Sequence, residues 1–163
     1  MTDIFIQPLT REIFFHYGDV IDCAGTPDKM INAGLCGRYH DVASLETVGG
    51  RLGLSLFDAK PRALPLELDL MERHPDGSQT FIPMTEHPFL VIVAPDHGGR
   101  PGKPMALLAA PGQGVNYHRA IWHGVLTPLH APGRFAVIDR IGIGENLEEF
   151  RFDTPYTIRA QPV

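Results

Sequence analysis

The sequence predicts an all-β protein, a sandwich or barrel, with one short helix near its start. Two observations indicate this class. Short apolar or alternating runs recur about every ten residues along most of the chain, which is typical of sandwiches and barrels. The 163 residues also include 17 glycines and 15 prolines, which mark the turns between such strands.

The composition indicates a single domain over residues 1–163, because the chain is long enough for one core but short for two. A net charge of −5 without a Lys/Arg cluster argues against a nucleic-acid partner. No apolar run approaches the length of a membrane span, and we find no signal-peptide pattern. Cys23 and Cys36 lack C-x-x-C spacing, so we expect unpaired thiols in a cytoplasmic protein.

The predicted elements follow from local patterns. Thr10 can cap a helix over residues 11–17, which Gly18 ends. Alternating or continuous apolar runs predict the strands. These cover residues 19–24, 51–58, 89–94, 105–109, 114–119 and 135–141, with weaker candidates over 148–152 and 156–159. The Gly- and Pro-rich residues 95–104 predict a surface loop.

One further strand carries polar side chains at its end. Leucine occupies every second position from Leu64 to Leu70. Alternate residues of a strand share a face, so the leucine face next presents Glu72 and His74. A carboxylate and an imidazole facing inward need a metal, a partner or a polar pocket, because burying them unpaired is costly. After a turn, Gln79 opens a strand that returns alongside the first.

A second polar cluster lies downstream. His118 and His123 flank the lone Trp122 in a strand–turn–strand context. If this turn packs against the first cluster, the ligands available are Glu72, His74, Gln79 and one or both of these histidines. Nitrogen and oxygen donors of this kind suit a first-row divalent metal such as Ni, Mn, Fe or Zn rather than a thiolate site.

Each polar group also has a structural interpretation that the spacing leaves open. Glu72 and His74 are compatible with a hydrogen-bonded pair at the rim of a barrel. His118 is compatible with an ordinary half-buried histidine packed on the neighbouring tryptophan. Asp139 and Arg140 interrupt an apolar strand, which favours a structural ion pair with a neighbouring residue.

The two clusters resemble the two short motifs of the cupin superfamily, whose double-stranded β-helix, a small jelly roll, holds a metal. Glu72 and His74 match the first pair, with glutamate in place of the more usual histidine. Gln79 stands where many cupins have glutamate, and His123 matches the histidine of the second motif. His118 stands where that motif often has proline. The resemblance therefore implies a cupin-type jelly roll.

Longer strings narrow the resemblance. The chain is similar to the ureidoglycolate lyase family in five blocks, in order: Arg38-Tyr-His-Asp41, Glu72-Arg-His-Pro75, Gln79-Thr-Phe-Ile-Pro-Met84, Gly112-Gln-Gly-Val-Asn-Tyr-His-Arg119 with Trp122-His123, and residues 135–140. The resemblance implies a cytoplasmic homodimer that acts late in allantoin breakdown. It implies cleavage of (S)-ureidoglycolate to glyoxylate and urea, with nickel as the first choice of metal and no organic cofactor.

The chemistry of this substrate assigns roles. Ureidoglycolate is a carbinolamide, so its cleavage needs a base, an acid and a contact to the carboxylate. The hypothesis places Glu72, His74, Gln79 and His123 on the metal or directly on the substrate. Proton transfer then falls to His118 or to a free member of that set, since histidine titrates near neutrality. The candidates for binding the carboxylate are Arg38 first, with Asn32 and Arg140.

Two other functions remain compatible with the sequence. One is a different metal-dependent cupin enzyme, such as an isomerase or a dioxygenase. The other is a non-catalytic cupin that binds small acids. Oxygen dependence would identify a dioxygenase, and binding of glyoxylate without release of urea would identify the non-catalytic protein.

Overall fold

The structure is a computed structural model that describes residues 2–162. Within that range the chain forms one short helix and fifteen strands. The elements are β1 Asp3–Phe5, β2 Gln7–Pro8, α1 Arg11–Phe14, β3 Gly18–Ile21, β4 Lys29–Ile31, β5 Cys36–Arg38, β6 Arg51–Ala59, β7 Leu66–Arg73, β8 Gln79–Pro83, β9 Phe89–Ala94, β10 Met105–Ala109, β11 Gly114–Tyr117, β12 Trp122–His123, β13 Thr127–Pro128, β14 Gly133–Ile141 and β15 Glu148–Arg159.

The strands form two main sheets. The first has eight strands, in the order β1-β15-β7-β12-β9-β10-β2 with β13 also paired to β9, and the second has the order β3-β11-β8-β14-β6. Strands β4 and β5 form a separate hairpin. Neighbouring strands in the main sheets are antiparallel except in the pairs β1–β15 and β2–β10. This architecture confirms the predicted all-β fold of the cupin type with a short N-terminal helix.

Local patterns account for most element boundaries. The Thr10 side chain caps α1 by accepting a hydrogen bond from Ile13 N, as predicted. The helix ends at Phe14 rather than at residue 17, because Tyr17 N bonds to Phe14 O in a tighter turn that leads into β3. The two weak C-terminal candidates are parts of one strand, β15.

The core has two apolar clusters, one on each face of the eight-stranded sheet. Alternate residues of β9 beginning with Phe89 lie in the cluster between the two sheets. The residues beginning with Leu90 lie in the cluster on the opposite face. Every residue of β9 is therefore buried, as its continuous apolar sequence predicts.

The leucine alternation that precedes Glu72 holds only in part. Leu68 and Met71 are three residues apart, yet both lie in the cluster on the far face of the eight-stranded sheet. The pairing of β7 with β15 shifts register between Arg151 and Tyr156, opposite this part of β7. A bulge of this kind bends a strand locally, so strict two-residue periodicity does not extend from Leu64 to Glu72.

Two further features concern membrane-spanning helices and the cysteines. Across residues 2–162, no helix has the length and apolar character that crossing a membrane requires. Cys23 and Cys36 are both exposed and form no disulfide, as predicted.

Candidate metal centre

Three predicted ligands converge on the inner side of the eight-stranded sheet. Glu72 on β7 and His123 on β12 are direct cross-strand partners, and His74 follows the last residue of β7. One ligand atom from each of the three side chains lies within 4.8 Å of the other two. His123 is only 1% exposed, whereas Glu72 and His74 are partly exposed.

Backbone carbonyl groups orient the two imidazoles. His74 Nδ1 lies 2.7 Å from Asn146 O, and His123 Nδ1 lies 3.0 Å from Gly124 O. Since a carbonyl oxygen only accepts hydrogen bonds, each Nδ1 carries the proton and each Nε2 keeps its lone pair. Both Nε2 atoms are buried without a hydrogen-bond partner. Metal-ligating histidines are typically held in this way.

Gln79 presents a fourth donor atom. Its Nε2 donates to Asp139 Oδ2 at 3.3 Å, while its Oε1 is buried without a partner. Gln79 on β8 pairs with Tyr117 on β11, and the Tyr117 ring stacks on the imidazole of His123. The amide oxygen of Gln79 is therefore available beside the cluster. The hydrogen bond to Asp139 engages the amide nitrogen and so fixes the orientation of the amide.

These residues fit a divalent metal. An unsatisfied buried polar group costs about 1–3 kcal/mol, so buried acceptors without partners require an explanation. Three such acceptors are His74 Nε2, His123 Nε2 and Gln79 Oε1, and the Glu72 carboxylate lies with them. A cation held by Glu72, His74 and His123 would engage the carboxylate and both imidazoles. Glu72, His74 and His123 can therefore hold a metal ion through nitrogen and oxygen donors.

Burial keeps His123 in the form that a metal requires. Burial, with a smaller effect from neighbouring His74, lowers the pKa of His123 to about 3, although the hydrogen bond to the Gly124 carbonyl acts in the opposite direction. The imidazole is thus neutral near pH 7, as a metal ligand must be. Burial raises the pKa of Glu72, with His74 lowering it and cross-strand Glu149 raising it.

A cavity of about 480 Å³ adjoins the cluster. Glu72 and Gln79 contribute to its lining, as do the apolar side chains of Phe57 and Phe81. A small molecule in this cavity would contact two of the four candidate ligands directly.

His118 lies outside the cluster. Its Nε2 is 3.1 Å from Asp19 Oδ2, which also accepts hydrogen bonds from Asn116 Nδ2 and Ser44 N. His118 follows Tyr117, whose ring faces His123, and successive residues of an extended chain point to opposite faces. The structure therefore places the two predicted histidines of this segment on different sides of the sheet.

The predicted carboxylate contacts also lie away from the cavity. Asn32 and Arg38 belong to the β4–β5 hairpin, which pairs with neither main sheet, and neither residue lines the cavity. Asn32 lies in the turn of the hairpin with a φ of 52°, and Arg38 is exposed. The sequence pattern could not predict where this hairpin lies relative to the cavity, because its position depends on long-range packing.

Arg140 stabilises loops. Its Nε donates to Val48 O at 2.7 Å, and its second terminal nitrogen donates to Gly49 O at 2.6 Å and Ile143 O at 2.9 Å. Across residues 2–162, neither Asp139 nor Arg140 forms the expected ion pair with a neighbour, and Asp139 accepts a hydrogen bond from Gln79 instead. Two of the three guanidinium nitrogens are thus bonded to backbone carbonyls.

Sequence reasoning missed two residues that support the cluster. Tyr117 stacks on His123, and the alternation of β11 could have found it, because core residue Val115 two positions earlier points to the same side. Asn146 accepts the His74 hydrogen bond from 72 residues away. No local pattern indicates a contact of that range.

The fold and the cluster together define a class. The protein is a β-sandwich of the cupin type, and the carboxylate and imidazoles on its inner side could hold a metal ion.

Comparison with known proteins identifies the family within that class. The family model described as ureidoglycolate lyase matches residues 1–159. The ureidoglycolate lyase of Rhodobacter capsulatus is 56% identical over 159 residues, which cover 97% of this chain and 99% of that protein. The ureidoglycolate lyase of Mesorhizobium japonicum is 51% identical over 160 residues, covering 97% and 98% of the two chains. The chain belongs to the ureidoglycolate lyase family and is an enzyme of the lyase class.

Proposed function

We propose that this enzyme cleaves (S)-ureidoglycolate to glyoxylate and urea at the cluster of Glu72, His74, Gln79 and His123, as a step of allantoin degradation. Membership of the family supports the reaction. One observation supports the location: of these four residues, Glu72 is the only ionisable one that also lines the 480 Å³ cavity. The cavity and the cluster therefore meet at a group that can move a proton.

The reaction itself requires little beyond proton transfer. The central carbon of the substrate carries a hydroxyl, a carboxylate and the ureido nitrogen. Removing the hydroxyl proton lets a C=O bond form while the C–N bond breaks. The departing nitrogen takes up one proton and leaves as urea, so the proton count balances without an oxidant or a covalent intermediate.

Glu72 is the group that we assign to this transfer. Burial raises the pKa of its carboxyl, which brings it closer to the range useful for general acid–base catalysis. A single carboxylate can accept the hydroxyl proton and return it to the nitrogen within one turnover. His118 is less suited, since its imidazole is bonded to Asp19 on the other side of the sheet.

His74, His123 and Gln79 would hold a divalent metal together with one carboxylate oxygen of Glu72, and its second oxygen would remain free for proton transfer. When bound, such an ion supplies Lewis acidity to substrate oxygens. Nickel is our first choice, supported by the family resemblance and by the nitrogen and oxygen donors. The carbonyls of Asn146 and Gly124 keep the two imidazoles in the tautomer that binds.

Incubation with racemic ureidoglycolate tests the function directly. We expect urea and glyoxylate in equal amounts, half of the substrate consumed, and no ammonia. Release of ammonia would indicate hydrolysis instead of elimination. Binding of glyoxylate without any turnover would identify a non-catalytic acid-binding protein.

A homodimer is also part of the proposal. Leu54 and Leu56 are 70% and 71% exposed on β6, the edge strand of the five-stranded sheet. Leu56 and Ile82 both pair with Ala136 of β14, so these apolar side chains share one face. Exposed apolar patches beside a free sheet edge favour association. Light scattering of the wild type and of Leu56→Glu measures it, with a lower mass expected for the variant.

A cytoplasmic location completes the proposal. The exposed, unpaired thiols of Cys23 and Cys36 suit a reducing compartment. Fractionation of the native host followed by an activity assay tests it, and activity confined to an oxidising compartment would contradict it.

A further inference from the structure

We infer that Lys60 and Arg62 bind the carboxylate of the substrate, an inference that rests on the proposed function. Neither residue was predicted to take part. Both line the same 480 Å³ cavity as Glu72 and Gln79. They would hold the charged end of the substrate while its hydroxyl and ureido groups face the cluster.

The local backbone places both residues, which are exposed to solvent, at the cavity. Strand β6 ends at Ala59, and residues 60–62 continue along the cavity lining. Arg62 N donates to Pro128 O at 2.9 Å, which ties this segment to the strand β13. Pro61 between the two cations restricts φ, so the segment has fewer alternative conformations.

Both cationic groups are available for a ligand. In the part of the chain that the structure describes, neither the Lys60 ammonium nor the Arg62 guanidinium has a hydrogen-bond or ion-pair partner. The carboxylate nearest in sequence, Asp58, pairs with Arg134 across the β6–β14 ladder. Other arginines, such as Arg73, are bonded to acidic side chains.

The charge balance of the cavity favours a small anion. Glu72 is the single acidic residue in the lining, against the two cations. The chain as a whole carries a net charge of −5, so attraction of a carboxylate must come from local groups. A guanidinium matches the two oxygens of a carboxylate with two parallel hydrogen bonds, and an ammonium adds a third.

Glutamine substitutions test the assignment. We expect KM for ureidoglycolate to rise about 10- to 100-fold in Lys60→Gln and in Arg62→Gln, because a hydrogen bond to a charged group is lost. The inhibition constant of glyoxylate, which retains the carboxylate, should rise by a similar factor. The turnover number should fall much less, since Glu72 and the cluster are untouched. Arg62→Lys should lie between the wild type and Arg62→Gln.

Lys103→Gln is the matched control, because it removes the same charge from an exposed loop position. It should leave both constants unchanged. Metal content and thermal stability of every variant should equal those of the wild type, so that a binding effect is separated from a folding effect.

Unchanged KM and glyoxylate inhibition in the Lys60→Gln/Arg62→Gln double variant would overturn the inference. So would a loss of binding in Arg38→Gln with wild-type behaviour of the double variant, which would return the contact to the β4–β5 hairpin. If the wild type released no urea, the proposed function would fail first. Active wild type with unaffected variants would reject this inference alone.

Discussion

The rings of Tyr117 and His123 lie parallel, with their centroids 4.4 Å apart and their planes 5° from each other. Tyr117 comes from the five-stranded sheet and His123 from the eight-stranded sheet. The contact therefore joins the two sheets at the cluster. It also restricts the rotation of the one imidazole that is almost completely buried.

Replacing the tyrosine tests whether this stack positions the ligand. An aromatic contact contributes about 0.5–1.5 kcal/mol, so Tyr117→Leu should weaken metal binding about two- to tenfold. Tyr117→Phe keeps the ring and should bind the metal like the wild type. Titration with Ni²⁺ followed by calorimetry measures both. Equal affinity in the leucine variant would show that the stack serves packing alone.

Asn146 offers a second test of positioning. Its backbone oxygen accepts from His74, and its side-chain Oδ1 accepts from Asp76 N at 2.7 Å. Asn146→Ala removes the hydrogen bond from Asp76 N in the turn after β7. His74 should then be held less firmly in the orientation that binds metal. Loss of such supporting contacts typically costs 10–100-fold in metal affinity, roughly the range that we expect here.

Asn146→Asp is the matched control, because it keeps an oxygen acceptor for Asp76 N. It should retain metal affinity within a few-fold of the wild type. If alanine and aspartate weakened binding equally, the Asp76 contact would not be what positions His74.

The elements that could be predicted are those whose cause is local. The continuous apolar run of β9 and the Thr10 cap of α1 depend on neighbouring residues only, and both were placed correctly. The proximity of Glu72 and His123 could be predicted because both residues match the family motifs. Their separation of 51 positions carries no such information by itself.

The elements that could not be predicted depend on distant partners. The shift of register in β15 changes which leucines of β7 share a face with Glu72. The Asn146 carbonyl that orients His74 is set by packing between remote segments. Lys60 and Arg62 form no motif, and only the folded chain shows that they line one cavity with Glu72.

Removal of the metal is a third prediction. Dialysis against a chelator should abolish urea release, and added Ni²⁺ should restore it, because the cluster leaves buried acceptors without partners. His123→Ala should lose most of its metal and its activity together. His130→Ala, which removes an exposed histidine, should retain both. Full activity of the chelated wild type would show that the residues act on the substrate directly.

The carboxylate itself gives a fourth prediction. Glu72→Gln preserves size and one oxygen donor but cannot move a proton. We expect turnover to fall about 10²–10⁴-fold, the usual contribution of a positioned acid–base group. Circular dichroism should show an unchanged fold, and turnover within a few-fold of the wild type would remove Glu72 from the mechanism.

Asp19 couples the stability of the protein to pH. Burial raises the pKa of its carboxyl, but hydrogen bonds from Asn116, Ser44 N and His118, together with the charge of His118, outweigh burial and leave the pKa below its usual value. A carboxyl whose pKa is lower in the folded state stabilises that state above its unfolded pKa of about 3.9. This stabilisation is lost as the pH falls through the folded pKa.

Asp19→Asn should remove that dependence. At pH 7 the variant should be less stable by about 1 kcal/mol, a modest value because the carboxylate is partly exposed and screened by solvent. The difference between the two proteins should shrink as the pH falls below the unfolded pKa and should vanish once Asp19 is protonated in the folded state. Urea denaturation at pH values from 2.5 to 7 measures the difference in the free energy of unfolding.

Asp58→Asn, at an exposed ion pair, is the control and should change stability little at any pH. A difference between Asp19→Asn and the wild type that stayed constant down to pH 2.5 would contradict the assignment, because a loss of packing alone does not titrate.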